Sequence, residues 1–215
     1  MLHKKIGRFG AGLAVTALLG IVPAAASAKP SSSTTTTPNA TPSALAAAVA
    51  SCTPPSLTQP FLPFGDDSEY ALVPGESYDN LSGSGWTLTG KAHIVSTTLY
   101  DGTQGSVLDL PAGSSAISPP TCVTNQDPTA RAMVQDLAGS AGVNVVVGYL
   151  SGNGLSVSTG NIQGSPGGWA LSPIINIHPS SVSGWQLAQF VFTPDGNGPA
   201  EYHIYNFYID PRIVG

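Results

Sequence analysis

The chain has 215 residues, 12 acidic and 7 basic side chains and two cysteines; 41% of it is hydrophobic and 9% charged, against about 25% charged in an average soluble domain. With 25 glycines, 19 prolines and few Lys, Glu or Arg, it lacks the residues that build solvated helices, which excludes an all-helical protein. Lys4, Lys5 and Arg8 lie at the start, and the few basic residues left elsewhere cannot form the clustered surface that nucleic acid binding needs.

Those three basic residues precede an apolar stretch from Gly10 to Val22, then Pro23 and the small-residue run Ala26-Ser27-Ala28. This order predicts a secretory signal peptide over residues 1–28. Its apolar stretch is well short of the roughly twenty residues that cross a bilayer. The mature chain is therefore expected to be secreted and extracellular, with no membrane span.

Residues 29–50 are rich in Ser, Thr, Pro and Ala. Such a composition buries too little surface to offset chain entropy and reads as a flexible, disordered linker, with a short helix at residues 42–50 as the alternative. Asn39-Ala40-Thr41 and Asn80-Leu81-Ser82 match the N-glycosylation pattern, which matters only in a host that glycosylates secreted proteins.

Residues 51–215 suffice for one domain with a sizeable core. Short runs of Val, Ile, Leu, Tyr and Thr alternate with turn clusters such as Gly65-Asp66-Asp67-Ser68, Pro111-Ala112-Gly113 and Pro166-Gly167-Gly168. Strands are expected at 69–73, 86–89, 92–99, 107–110, 131–137, 143–150, 155–162, 171–177, 186–193 and 202–209. The 143–147 run is apolar almost throughout and reads as a central strand. The fold class is all-β, a two-sheet antiparallel sandwich. In the last strand, alternation puts Tyr202, Ile204 and Tyr208 on one face and Tyr205, Phe207 and Ile209 on the other, so both faces are bulky.

Cys52 and Cys122 are the only cysteines, and in an oxidising compartment they read as one disulfide rather than a metal or redox pair. No Cys-x-x-Cys spacing supports thioredoxin-like chemistry.

Val73-Pro74-Gly75-Glu76-Ser77-Tyr78-Asp79, followed by Gly85-Trp86-Thr87-Leu88-Thr89-Gly90, resembles the opening strand of galactose-binding-like jelly-roll domains and related carbohydrate-binding modules. The stretch from Tyr202 to Pro211 is similar to their final strand. The start Phe61-Leu62-Pro63-Phe64-Gly65-Asp66 and the Asp210-Pro211 end also resemble a group of secreted actinobacterial proteins. The resemblance implies a jelly-roll topology, a core position for Trp86 and a glycan or other cell-envelope component as partner.

In that family an opening acid and a closing acid pair commonly help to hold a structural calcium, a cation that takes six to eight oxygens. Asp79 occupies the first position, but Tyr205 and Asn206 stand where the paired acids would be. No cofactor is expected on this pattern. The calcium candidates are Asp66, Asp67 and Asp79, although the acid cluster of Asp66, Asp67 and Glu69 reads first as a solvated turn.

Catalytic patterns are missing. His93, His178 and His203 show no zinc spacing, no Gly-x-Ser-x-Gly elbow is present, and no acid pair stands out for glycoside hydrolysis. An enzyme is not expected. Trp169 follows Pro166-Gly167-Gly168 and Trp185 follows Ser181-Val182-Ser183-Gly184, so both fall at loop-to-strand boundaries; with Tyr205 they are the candidate ligand-binding residues, because aromatic faces stack on sugars without needing charge. The expected function is a non-catalytic binding module for carbohydrate or a cell-envelope component; the alternatives are a structural or protein-interaction domain and a hydrolase with an unrecognised site. The sequence carries no signal for an oligomeric state.

Overall fold

The computed structural model describes residues 42–74, 85–126, 129–139, 142–150, 156–177, 184–195 and 198–210. The expected signal peptide, most of the expected linker, both glycosylation motifs, Asp79 and His178 lie outside them. Among the described residues, no helix is long and apolar enough to cross a membrane.

The first described element is a helix, α1 (Pro42–Ala50). Alanine is the strongest helix former and proline is tolerated in the first turn, so the end of the Ser/Thr/Pro/Ala-rich segment takes the helical alternative. Directly after it, Cys52 is bonded to Cys122, with the two Cα atoms 5.8 Å apart.

Strands follow in the order β1 (Ala71–Leu72), β2 (Thr87–Thr89), β3 (His93–Thr98), β4 (Gln104–Pro111), β5 (Ser115–Ile117), β6 (Thr121–Val123), β7 (Thr129–Ala138), β8 (Val143–Tyr149), β9 (Ser156–Ile162), β10 (Ser165–Pro166), β11 (Trp169–Leu171), β12 (Ile175–Asn176), β13 (Gln186–Pro194) and β14 (Glu201–Asp210). The larger sheet runs β10-β7-β14-β4-β3, with β1 on β14 and β11 and β12 on β7; the smaller runs β2-β5-β13-β8-β9, with β6 on β13. All pairings are antiparallel except β10 with β7. As its apolar run predicts, β8 lies inside its sheet, between β13 and β9.

One expected strand, 171–177, is broken. Leu171 and Ile175 both pair with β7, but Ser172, Pro173 and Ile174 between them do not. Pro173 has no N–H for the ladder. Ser172 keeps its N–H on the Ala132 carbonyl at 2.8 Å and accepts the Ala132 N–H on its hydroxyl at 3.1 Å.

The inner faces of the two sheets meet in one core. Phe207 of the larger sheet packs edge-on against Phe190 and Phe192 of the smaller, with ring centroids 4.8 and 5.0 Å apart, the arrangement that the ring quadrupole favours. Trp86 is buried, stacks on Phe192 and donates its indole N–H to the Pro74 carbonyl at 3.0 Å, so its expected core position holds.

The last strand corrects the simple alternation. Asn206 takes a left-handed backbone, φ 55°, and the β14–β7 register shifts between Tyr205 and Tyr208. One extra residue in a strand reverses its facing thereafter. Tyr202, Ile204, Phe207 and Ile209 consequently all join the core, while Tyr205 and Tyr208 pack on the opposite face beside Phe61, Tyr70 and Met133. Tyr208 and Phe207 have exchanged the faces that unbroken alternation gives them.

Candidate ligand-binding face

The outer face of the larger sheet carries a continuous run of aromatic rings. Phe64 meets Tyr100 at 5.2 Å, Tyr100 meets Tyr205 at 6.4 Å, Tyr205 meets Trp169 at 6.3 Å, and Trp169 meets the His203 ring at 6.3 Å. Tyr100, Trp169 and Tyr205 are half-buried and Phe64 is exposed. Each ring comes from a different part of the chain, so tertiary pairing alone assembles them.

Local chemistry explains how each is held. Leu62–Phe64 forms one turn of 3-10 helix closed by Gly65 at φ 81°, a left-handed position that glycine adopts without penalty. Asp66 then anchors the turn: its Oδ1 accepts the Ser68 N–H at 3.1 Å, and its Oδ2 accepts the Tyr70 hydroxyl at 2.6 Å and the Arg131 guanidinium. Arg131 also donates to the Ser172 carbonyl from Nε at 3.2 Å and Nη2 at 2.9 Å. Burial raises the Asp66 carboxyl, but hydrogen bonds from Tyr70, Arg131 and Ser68 outweigh it and hold the group below its ordinary value. Burial, then the same Asp66 bond, pushes the Tyr70 phenol up.

Beneath the rings runs a polar row set by strand register. His93 faces Asp109, Asp109 faces His203, His203 faces Gln135 and Gln135 faces Trp169. His93 Nδ1 lies 2.9 Å from the Lys91 carbonyl and 3.3 Å from Asp109 Oδ2, and His203 Nδ1 lies 3.4 Å from Gln135 Oε1. Asp109 Oδ1 is buried without a hydrogen bond; His203 Nε2, at 3.7 Å, is within ion-pair range but too far to bond. Burial and then Glu201 push the Asp109 carboxyl up, against the opposing His203 and His93. Burial also pushes the His203 imidazolium down, ahead of the attraction of Asp109 and Glu201.

Of the three aromatic candidates, the structure brings Trp169 and Tyr205 together. Trp185 stands elsewhere: it is half-buried and leads into β13 of the smaller sheet. Among the calcium candidates, Asp66 already faces the Arg131 cation and Asp67 is exposed. A calcium ion at Asp66 would have to displace that arginine, so this carboxylate does not fit the metal. Among the described residues, no three His, Cys, Asp or Glu side chains converge on a metal position. Sequence reasoning missed Phe64, Tyr100 and His203 as members of the face. The Tyr100-Asp101-Gly102 turn signals a hairpin, but no local pattern says which face that hairpin tip covers.

No family model and no curated protein matches the chain. Solved structures do resemble it. The CBM22-1 xylan-binding domain from Paenibacillus barcinonensis Xyn10C is 17% identical, with 67% of this chain and 99% of that one covered and a TM-score of 0.42. A family 16 carbohydrate-binding module is 13% identical, covering 63% and 96%, at a TM-score of 0.43. The family 11 carbohydrate-binding module from Clostridium thermocellum, in complex with a β-1,3-1,4-mixed-linked tetrasaccharide, is 7% identical, covering 66% and 96%, at 0.39.

Proposed function

We propose that the protein is a secreted, non-catalytic binding module for carbohydrate or another neutral cell-envelope component, and that its ligand lies across the outer face of the larger sheet. The observation that carries this reading is the aromatic run from Phe64 through Tyr100 and Tyr205 to Trp169. Rings partly open to solvent offer the apolar faces on which sugar rings stack, while Gln135 and the histidines beside them offer polar atoms for hydroxyls. Arg131, the one arginine at this face among the described residues, is neutralised by Asp66, which favours a neutral ligand.

Thermal unfolding of the mature chain against a panel of soluble polysaccharides tests the reading. A ligand at about ten times its dissociation constant raises the midpoint by roughly 3 to 6 °C. A rise with one sugar class supports the module and identifies its ligand class. No rise with any sugar, together with self-association or a co-purifying protein, favours the interaction-domain alternative, for which exposed Leu62 beside Phe64 would be the contact.

A further inference from the structure

The polar row beneath the rings ends at the β3 edge on His93. Its side chain is 58% exposed, whereas those of Asp109 and His203 beside it are 6% and 10% exposed. His93 is thus the member of this trio that a ligand on the outer face can touch. Its Nδ1 lies 2.9 Å from the Lys91 carbonyl oxygen and 3.3 Å from Asp109 Oδ2. Both neighbours are acceptors, so the ring proton sits on Nδ1 and points at them. In the neutral imidazole Nε2 then carries a bare lone pair, and it has no partner among the described residues.

Asp109 is an expensive residue to keep in this position. Its Oδ1 is buried without a hydrogen bond, and a buried carboxylate lowers stability unless its oxygens are satisfied. Packing does not call for it: Val107, two residues earlier and on the same side of β4, is a buried valine. What the carboxylate does is lie against the Nδ1 side of an exposed imidazole. An acid in that place fixes the tautomer and the ring orientation, and makes the outward nitrogen a stronger acceptor. Strand register also gives that acceptor a use. His93 stands two strands from His203, roughly 10 Å, and the Trp169 ring lies 6.3 Å from that of His203. A sugar chain stacked on Trp169 and Tyr205 reaches His93 by extending over Asp109 toward the β3 edge. Stacking is tolerant of hydroxyl pattern, whereas a fixed acceptor reads it.

We propose that His93 is a further binding residue of this face: its Nε2 accepts the proton of a ligand hydroxyl, and Asp109 is the positioning residue that keeps Nδ1 as the donor side. The ligand is then a glycan that crosses the sheet from β11 to β3 and carries a free hydroxyl at the β3 edge. This inference rests on the assignment of glycan binding to the outer face.

The test is calorimetric titration of soluble xylan, β-1,3-1,4-mixed-linked glucan and β-1,4-galactan into wild type, His93→Leu, His93→Gln and Trp169→Ala. All are held at about pH 8.5, well above the ordinary imidazole range. His93 is exposed, so its variants should unfold at the wild-type midpoint. His93→Leu should bind about fivefold more weakly, the loss of one neutral hydrogen bond. His93→Gln, whose side-chain oxygen is again an acceptor, should recover most of that loss. Nitrogen NMR of the wild type should show the proton on Nδ1 and a bare Nε2. Equal weakening by His93→Leu and His93→Gln would assign the loss to the ring's packing and overturn the acceptor role, as would a proton found on Nε2. Weaker binding by Trp169→Ala with none by His93→Leu would overturn this inference and leave the outer-face reading standing. No binding of any of the three glycans by the wild type, or no loss in either Trp169→Ala or His93→Leu, would remove both.

Discussion

Trp169 donates its indole N–H to the backbone carbonyl of Thr98 at 3.0 Å, although β11 and β3 lie at opposite edges of the larger sheet with β7, β14 and β4 between them. Neighbouring strands are about 4.8 Å apart, so a flat sheet would hold these two edges roughly 19 Å apart. The outer face is therefore concave, and the β3–β4 hairpin tip arches over it, with Tyr100 touching Tyr205. This one bond fixes the ring on which the proposed binding face depends. Trp169→Phe keeps an aromatic ring but loses the bond, and should lower stability by about 1 kcal/mol. Trp169→Ala also loses the ring contacts and should cost about 2 kcal/mol. Urea unfolding measures both, and a Trp169→Phe variant as stable as the wild type would show that the bond contributes nothing.

Asp66 and Arg131 join the Phe64 turn to β7 with side chains 12% and 19% exposed. Asp66→Asn leaves the guanidinium without its countercharge and weakens the acceptor of the Tyr70 hydroxyl. The expected loss is about 2 to 3 kcal/mol, less than for a fully buried pair because both groups keep some water. The carboxyl is held below its ordinary value of 3.8, so its contribution is complete above 3.8 and is lost as pH falls through the folded value. The wild type should thus lose stability faster than Asp66→Asn below about pH 4; parallel curves would contradict this.

His203 predicts a second slope, nearer neutrality. Burial depresses its imidazolium from 6.5, so the stability it contributes is complete above 6.5 and declines as pH falls through its folded value. Asp109 has the opposite sign: its carboxyl is raised from 3.8, and its contribution is complete below 3.8 and lost as pH rises through the folded value. The midpoint of the wild type should fall between pH 7.5 and 5.5, and that of His203→Gln should fall less. A variant as steep as the wild type would remove the histidine as the cause.

The Cys52–Cys122 bridge closes a span of 70 residues. Cys52→Ser with Cys122→Ser should lower stability by about 4 kcal/mol on the chain-entropy account, or roughly 8 to 16 °C in midpoint for a domain of this size. Thiol titration of the denatured, oxidised chain should find none before reduction and two after it.

Much of the fold was legible in the sequence because local signals agree with it. Val143 to Val147 reads as a central strand and is one, and Trp86 behind Gly85 reads as core and is buried. The short β5 and β6 were not legible, since they flank Pro119-Pro120, where turn chemistry masks a strand pattern. The outer face was half legible. Trp169, at a loop-to-strand boundary, and Tyr205, on the face that alternation opposes to Tyr202 and Ile204, can be picked out from the sequence, but their contact depends on β11 and β14 both pairing with β7, a partnership that no local pattern shows. Trp185 has the same local context as Trp169 and lands beside the other sheet, because strand partnership, not sequence context, decides which tryptophan joins Tyr205.

The most direct measurement is calorimetric titration of the polysaccharide that most raises the unfolding midpoint into wild type, Trp169→Ala, Tyr205→Ala and Trp185→Ala, each first shown to unfold cooperatively. Losing a ring that stacks on the ligand should weaken binding at least about tenfold, or 1.4 kcal/mol. That loss is expected for Trp169→Ala and Tyr205→Ala, with Trp185→Ala binding as the wild type does. Unchanged affinity in the first two variants, or a loss confined to Trp185→Ala, would contradict the assignment of ligand binding to the outer face of the larger sheet.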